Sequence, residues 1–285
     1  MEIRNETQKE VAYRSPVFIR SLFIQDCIQR RSMQSESGAR YNHGMVDVYG
    51  IANVVDSLYA IKKFVYTRQI ITLPEFAAIL RQNFEGNHEF LLKCKKLPKY
   101  GNEISEVDEL GKKVFDHVFA YIRTKQLWKG GCYYGFCASA PGNHIGFGHT
   151  TGATPDGRLA GMPLASSVGP SSGNDTSGPT AMLKSASTPD LSLAIGTPVL
   201  NLSLSPEYLK PDNRNILISL IKTYFMMGGM QLQLNLTDAV TLKEAQKNPE
   251  QHKNLIVRVA GYSARFVDLN SDIQNDLIQR TVHSV

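Results

Sequence analysis

In the stretch LIVRVAGYSARFVDL, residues 255–269, Gly261 stands inside a run of β-branched and aromatic residues: Ile256, Val257, Val259, Tyr262, Phe266 and Val267. Such a run predicts a strand. Arg258 lies three residues before the glycine and Arg265 four after it. A mid-strand glycine ordinarily marks a bulge or a close approach of another backbone. Other residue types that carry chemistry are sparse. The segment GCYYGFC brings Cys132 and Cys137 into a CxxxxC spacing. Without a second cysteine pair this is a poor zinc site, and the pair reads as two half-buried thiols. Cys27 and Cys94 are isolated in sequence and are expected in the core. His144, in SAPGNHIGFGH, sits among small residues that would let backbone approach a ligand; a structurally satisfied histidine is the competing reading. There is no GxGxxG after a strand, no GxxxxGK(S/T) and no HExxH. No metal site is expected.

The elements that must position these residues come from a chain of 285 residues, 42% hydrophobic and 20% charged, with a net charge of +5. That is ordinary for a globular protein. Lys and Arg are scattered, with short clusters such as KCKK at 93–96, which reads as a solvated surface and not as a nucleic-acid groove. No apolar run reaches membrane-spanning length, and Met1 is followed by the charged EIRNETQKE. Four cysteines do not make a disulfide framework. These features set the expectations of a cytoplasmic protein with neither nucleic acid nor membrane as partner.

The first half reads as mostly helical. IANVVDSLYAIKKFVY places Ile51, Val54, Val55, Leu58, Ile61 and Val65 on one face. Thr72 and Glu75 form a capping box for TLPEFAAIL, and Ser105 is the expected cap of SEVDELGKKVFDHVFAYI. The second half alternates. VLNLSLSP (199–206) and MQLQLNLT (230–237) read as strands. NILISLIKTYFMM (215–227) reads as a helix closed by Gly228 and Gly229. TLKEAQKN, with Thr241 and Glu244, and SDIQNDLIQRT, with Ser271 and Gln274, are two further capped helices. This order predicts an α/β fold with parallel strands. In both strands leucines alternate with Asn201, Ser203 and Ser205, or with Gln231, Gln233 and Asn235. Uncharged polar groups suit an enclosed polar face, because they hydrogen-bond without the cost of desolvating a charge; a solvent-facing sheet is the alternative. Residues 150–180 are rich in Gly, Pro, Ser and Asp and read as loop. Either it is a linker between domains or a functional segment with specific turns.

VRVAGYSA at 257–264 closely resembles the signature of the glycyl radical enzymes, the pyruvate formate-lyase family. The likeness extends over nearly the whole chain: SGARYN at 37–42, GIANVVDSL at 50–58, ATPDGRLAGMPLA at 153–165, SGPTAMLKSAS at 177–187 and the RT near the C-terminus. The details look more like the dehydratase, decarboxylase and lyase branches than like pyruvate formate-lyase (formate C-acetyltransferase) itself. The resemblance implies the C-terminal half of a ten-stranded α/β barrel, about one half-barrel with surrounding helices. It also implies a division into a mostly helical part, 1–150, and a glycine radical domain, 151–285. Gly261 would be the radical site, with Arg258 and Tyr262 as positioning neighbours. Glycine suits this role because its Cα can become planar without a Cβ clashing with its neighbours. Val259, Tyr262 and Phe266 are expected to cover a buried radical. No cofactor would be bound; a separate activating enzyme using S-adenosylmethionine and a 4Fe–4S cluster would install the radical.

One feature departs from the family. The cysteine that receives the radical lies in a GCxE-type motif, and these 285 residues contain none. GCYY at 131–134 lacks the glutamate. The strand read over YYGFCASAPGNH, 133–144, would supply one pocket wall. Three readings follow: part of a split or fragmented enzyme whose N-terminal half supplies the cysteine, a spare part that repairs an oxygen-cleaved full-length enzyme, or a non-catalytic remnant.

Overall fold

The computed structural model describes residues 2–136, 142–259, 261–280 and 282–284. Helices α1 (Glu2–Arg14) and α2 (Phe18–Leu22) lead into strand β1 (His43–Asp47). Helices α3 (Ile51–Ile61), α4 (Leu73–Arg81), α5 (His88–Lys96) and α6 (Ser105–Arg123) follow, then β2 (Cys132–Phe136), α7 (Asn143–His149) and α8 (Pro179–Ala186). The remainder alternates: β3 (Val199–Leu204), α9 (Arg214–Met226), β4 (Gln231–Asn235), α10 (Ala239–Lys247), β5 (Ile256–Arg258), β6 (Ser263–Arg265), α11 (Ser271–Gln279) and β7 (Val282–His283).

Local signals explain most boundaries. The Glu75 carboxylate accepts the Thr72 N–H at 2.8 Å, and the Thr72 hydroxyl accepts the Glu75 N–H at 3.4 Å, so the expected capping box opens α4. Gly228, at φ +97°, follows the end of α9. Three expected caps are corrected. Asp238, not the Thr241/Glu244 pair, caps α10, because its carboxylate accepts the Thr241 N–H at 2.7 Å. Asn270 caps α11 by accepting the Ile273 N–H at 2.9 Å, while Gln274 donates to the Phe266 carbonyl at 3.0 Å. Ser105 is the first residue of α6, and no side chain caps it. The face read on α3 also divides: Ile51 and Val55 are buried, whereas Val54 and Leu58 are 48% and 41% exposed.

Strands β1 and β2 pair in parallel, and β3 lies between β4 and β7 in a second all-parallel sheet. Asn201 stands opposite Gln233 and Ser203 opposite Asn235. Ser203, Gln233 and Asn235 are buried, as an enclosed polar face requires. The strand read over 133–144 is shorter than expected. Strand β2 is described over Cys132–Phe136, residues 137–141 lie outside those described, and 143–144 belong to α7, Asn143–His149.

The segment 150–180 is not a loose linker, because the body satisfies its polar groups. Asn53 donates to the Asp156 carboxylate at 2.7 Å and the Ser171 hydroxyl at 3.0 Å, and accepts the Ala165 N–H at 2.7 Å. The Asn102 side chain accepts the Thr176 and Ser177 N–H groups and donates to the Asn174 carbonyl. The buried Lys99 ammonium donates to the carbonyls of Cys94 and Asp156. The main core takes residues from both sides of this segment, including Val55, Phe115, Leu200 and Tyr224. A second, smaller core joins α10, β5 and α11 through Leu242, Ala245, Val257, Val259, Phe266 and Leu277.

Candidate functional site

Gly261 does not lie in the middle of a strand. Ile256, Val257 and Arg258 pair antiparallel with Arg265, Ala264 and Ser263, and the Val259 N–H donates to the Tyr262 carbonyl at 3.1 Å. The segment is a hairpin, and Gly261 lies between its two strands. Period-2 alternation is the same for one long strand and for two short ones, so the sequence pattern hid the turn. Gly261 is exposed, and a Cβ built on it would meet nothing within 4 Å among the described residues. The glycine is therefore not required by crowding.

The expected apolar cover is corrected as well. Val259 and Phe266 are buried, but they lie in the small core at the base of the hairpin; Tyr262 is 41% exposed. The tip stands clear of the core because only three residue pairs hold each strand before the chain turns. Arg258 reaches across the hairpin, its guanidinium donating to the Ser263 hydroxyl at 3.4 Å.

Charged residues that sequence reasoning left without a role surround the base of the hairpin. Asp276, on α11, places its Oδ1 3.2 Å from Nε2 of His144 and accepts from the Arg280 guanidinium at 2.9 Å. Burial alone would raise the Asp276 carboxyl, but His144 and Arg280 outweigh it and hold the group down at about 2. His144 is buried and faces Asp276, but neither ring nitrogen makes a hydrogen bond of good geometry among the described residues, so the reading of a structurally satisfied histidine is not borne out. A second buried pair joins His283 of β7 to Asp175 at 2.9 Å. The spacing of Asp276 and Arg280, one helical turn apart, was the available signal. A cavity of about 30 Å³, enough for a single water, lies between Arg280, Asp175, Asn201 and Ser203.

Among the described residues no three Cys, His, Asp or Glu side chains group to hold a metal. Cys27 and Cys94 are buried and Cys132 is half-buried on β2; Cys137 lies outside the described residues. Burial pushes the Cys94 thiol up to about 12, the opposite of what a reactive thiolate needs.

Comparison with known proteins agrees with the resemblance. The family model described as pyruvate formate lyase-like matches residues 1–148, and the glycine radical model matches 164–267, which includes the hairpin. Trans-4-hydroxy-L-proline dehydratase of Clostridioides difficile is 36% identical over 269 residues, covering 93% of this chain and 34% of the relative. Isethionate sulfite-lyase of Bilophila wadsworthia is 36% identical over 272 residues, covering 93% and 32%. Among solved structures, the Roseburia inulinivorans protein described for 1,2-propanediol dehydration superposes with a TM-score of 0.94 at 38% identity, covering 98% of this chain and 36% of its own. The B12-independent glycerol dehydratase of Clostridium butyricum gives 0.93 at 38% identity, covering 98% and 35%. The chain therefore spans about a third of the length of these relatives. The five parallel strands and their helices are a fragment of the barrel these enzymes share. On sequence and on fold alike, the chain belongs to the pyruvate formate lyase-like family of glycyl radical enzymes.

Proposed function

We propose that this chain is the radical-storing part of a glycyl radical dehydratase or lyase, and that Gly261 holds the radical. The observation that supports this best is the exposed hairpin tip with open space around its Cα, inside the segment that matches the glycine radical model. An activating enzyme must bring its own reactive group to the Cα, and a tip that clears its core admits one. A hydrogen atom leaves Cα to the activating enzyme. The unpaired electron stays on carbon, shared with the flanking amide nitrogen and carbonyl. In catalysis a cysteine thiol in the remainder of the fold gives its hydrogen atom to the Gly261 Cα. Glycine is restored, and a thiyl radical is left that takes hydrogen from substrate. These 285 residues carry no GCxE-type cysteine motif, so that thiol comes from the complementary part of the barrel.

The partners are accordingly a radical S-adenosylmethionine activating enzyme and the cysteine-bearing portion of the fold. The setting is an anaerobic cytoplasm, and the boundary between catalytic-domain part and radical domain falls near residue 150. Air provides the test. After anaerobic activation, oxygen should cut the backbone at Gly261 and release a piece beginning YSARFVDL, measured by intact-mass spectrometry. A chain that stays whole after a demonstrated radical signal would overturn the assignment.

A further inference from the structure

The small core beneath the hairpin is distinct from the main one, and α11 and β7 carry buried polar contacts to other parts of the chain. Asp276 approaches His144 of α7, and His283 approaches Asp175 of the clasped segment. Arg280 sits between them. Its side chain is 12% exposed, and its Nη2 donates to Asp276 at 2.9 Å and to the Val259 carbonyl at 3.4 Å. Val259 belongs to the hairpin, two residues before Gly261, and its own N–H is bonded across the link to Tyr262. Arg280 also lines the small cavity together with Asn201 and Ser203 of β3. Burying a charge costs free energy that an apolar side chain would not. What a guanidinium adds is direction, because its planar fork fixes several acceptors at once.

We propose that Arg280 is a positioning residue for Gly261. It holds the Val259 carbonyl and so fixes the hairpin relative to the polar face of β3. Asp276 accepts from the guanidinium and fixes it. Its consequence for the radical rests on the reading of Gly261 given above; the positioning of the hairpin does not.

Hydrogen exchange on the intact chain separates the two claims. In Arg280→Gln, amides at 256–259 and 262–265 should exchange about tenfold faster, the size of effect expected when a charged hydrogen bond holding a local element is lost. Amides of α3 and β3 should keep their protection, and Arg280→Lys should lie between Gln and wild type. After anaerobic activation, the Gln variant should also lose its radical faster and show an altered splitting in electron paramagnetic resonance. Unchanged hairpin protection in Arg280→Gln would overturn the proposal. So would uniform acceleration across the chain with Lys no better than Gln, or a loosened hairpin whose radical keeps its wild-type lifetime and line shape. If the wild-type chain takes up no radical at all, the Gly261 reading fails, and the exchange data alone decide the role of Arg280.

Discussion

Gly261 and the acids beneath it show what single residues contribute. A Cβ built on Gly261 would meet nothing within 4 Å among the described residues. A substitution at Gly261 therefore tests chemistry more than packing. Two aspartates make opposite predictions for stability against pH. Asp276 is held at about 2, below its ordinary 3.8. Its contribution is complete above about pH 4 and is lost as pH falls through about 2; the shift corresponds to about 2 kcal/mol. Asp56 is 1% exposed, and burial pushes it up to about 7 against the opposing pull of Lys99 and the Tyr100 N–H. Between about pH 4 and 7 the native state then binds more protons than the unfolded chain, so stability falls as pH rises through that window. Urea midpoints measured across both ranges should show Asp56→Asn flattening the neutral slope and Asp276→Asn the acid one. A neutral slope unchanged by Asp56→Asn would contradict the burial argument.

At the scale of elements, the clasp over 150–180 is the feature least expected from composition. Asn53 completes three of its hydrogen bonds. Asn53→Ala should lower stability by about 3 kcal/mol, since it strands one oxygen of the buried Asp156 carboxylate and the Ala165 N–H. Thermal melts with Asn53→Asp as comparison would check this, and a loss under about 1 kcal/mol would show that the clasp is held elsewhere. Strands β3 and β4 and helices α4 and α9 were legible because leucine alternation, a capping box and a closing glycine each act over a few residues. What was not legible depends on distant or competing partners. Strand β1 is defined by pairing His43 with Cys132, far along the chain. The caps of α10 and α11 went to Asp238 and Asn270, one to three residues ahead of equally plausible candidates. At the site, the glycine and its neighbours were legible through the family signature. The turn was not, because it breaks no alternation, and the Asp276–Arg280 pair stayed silent without the His144 that completes it.

The molecule carries exposed apolar side chains and strands at the ends of its sheet. Phe23 and Met226 are 86% and 87% exposed, Val54 and Leu58 form an exposed pair one turn apart on α3, and β4 and β7 end their sheet. Exposed apolar side chains and free strand edges favour association. On its own the chain should run as oligomer or aggregate in size-exclusion chromatography and turn over none of the family's substrates, and adding the cysteine-bearing portion should restore both a defined size and activity. A monodisperse monomer with a sharp, high-temperature melt would count against a missing complement. Among the described residues no helix is long and apolar enough to cross a membrane. The most direct measurement is electron paramagnetic resonance of the chain after anaerobic treatment with a radical S-adenosylmethionine activating enzyme proven on its own substrate. An organic doublet, split by the one remaining α-hydrogen and abolished by Gly261→Ala, is the expected result. A signal that survives Gly261→Ala, or none at all while exchange shows the hairpin folded, would contradict the assignment of the radical to Gly261.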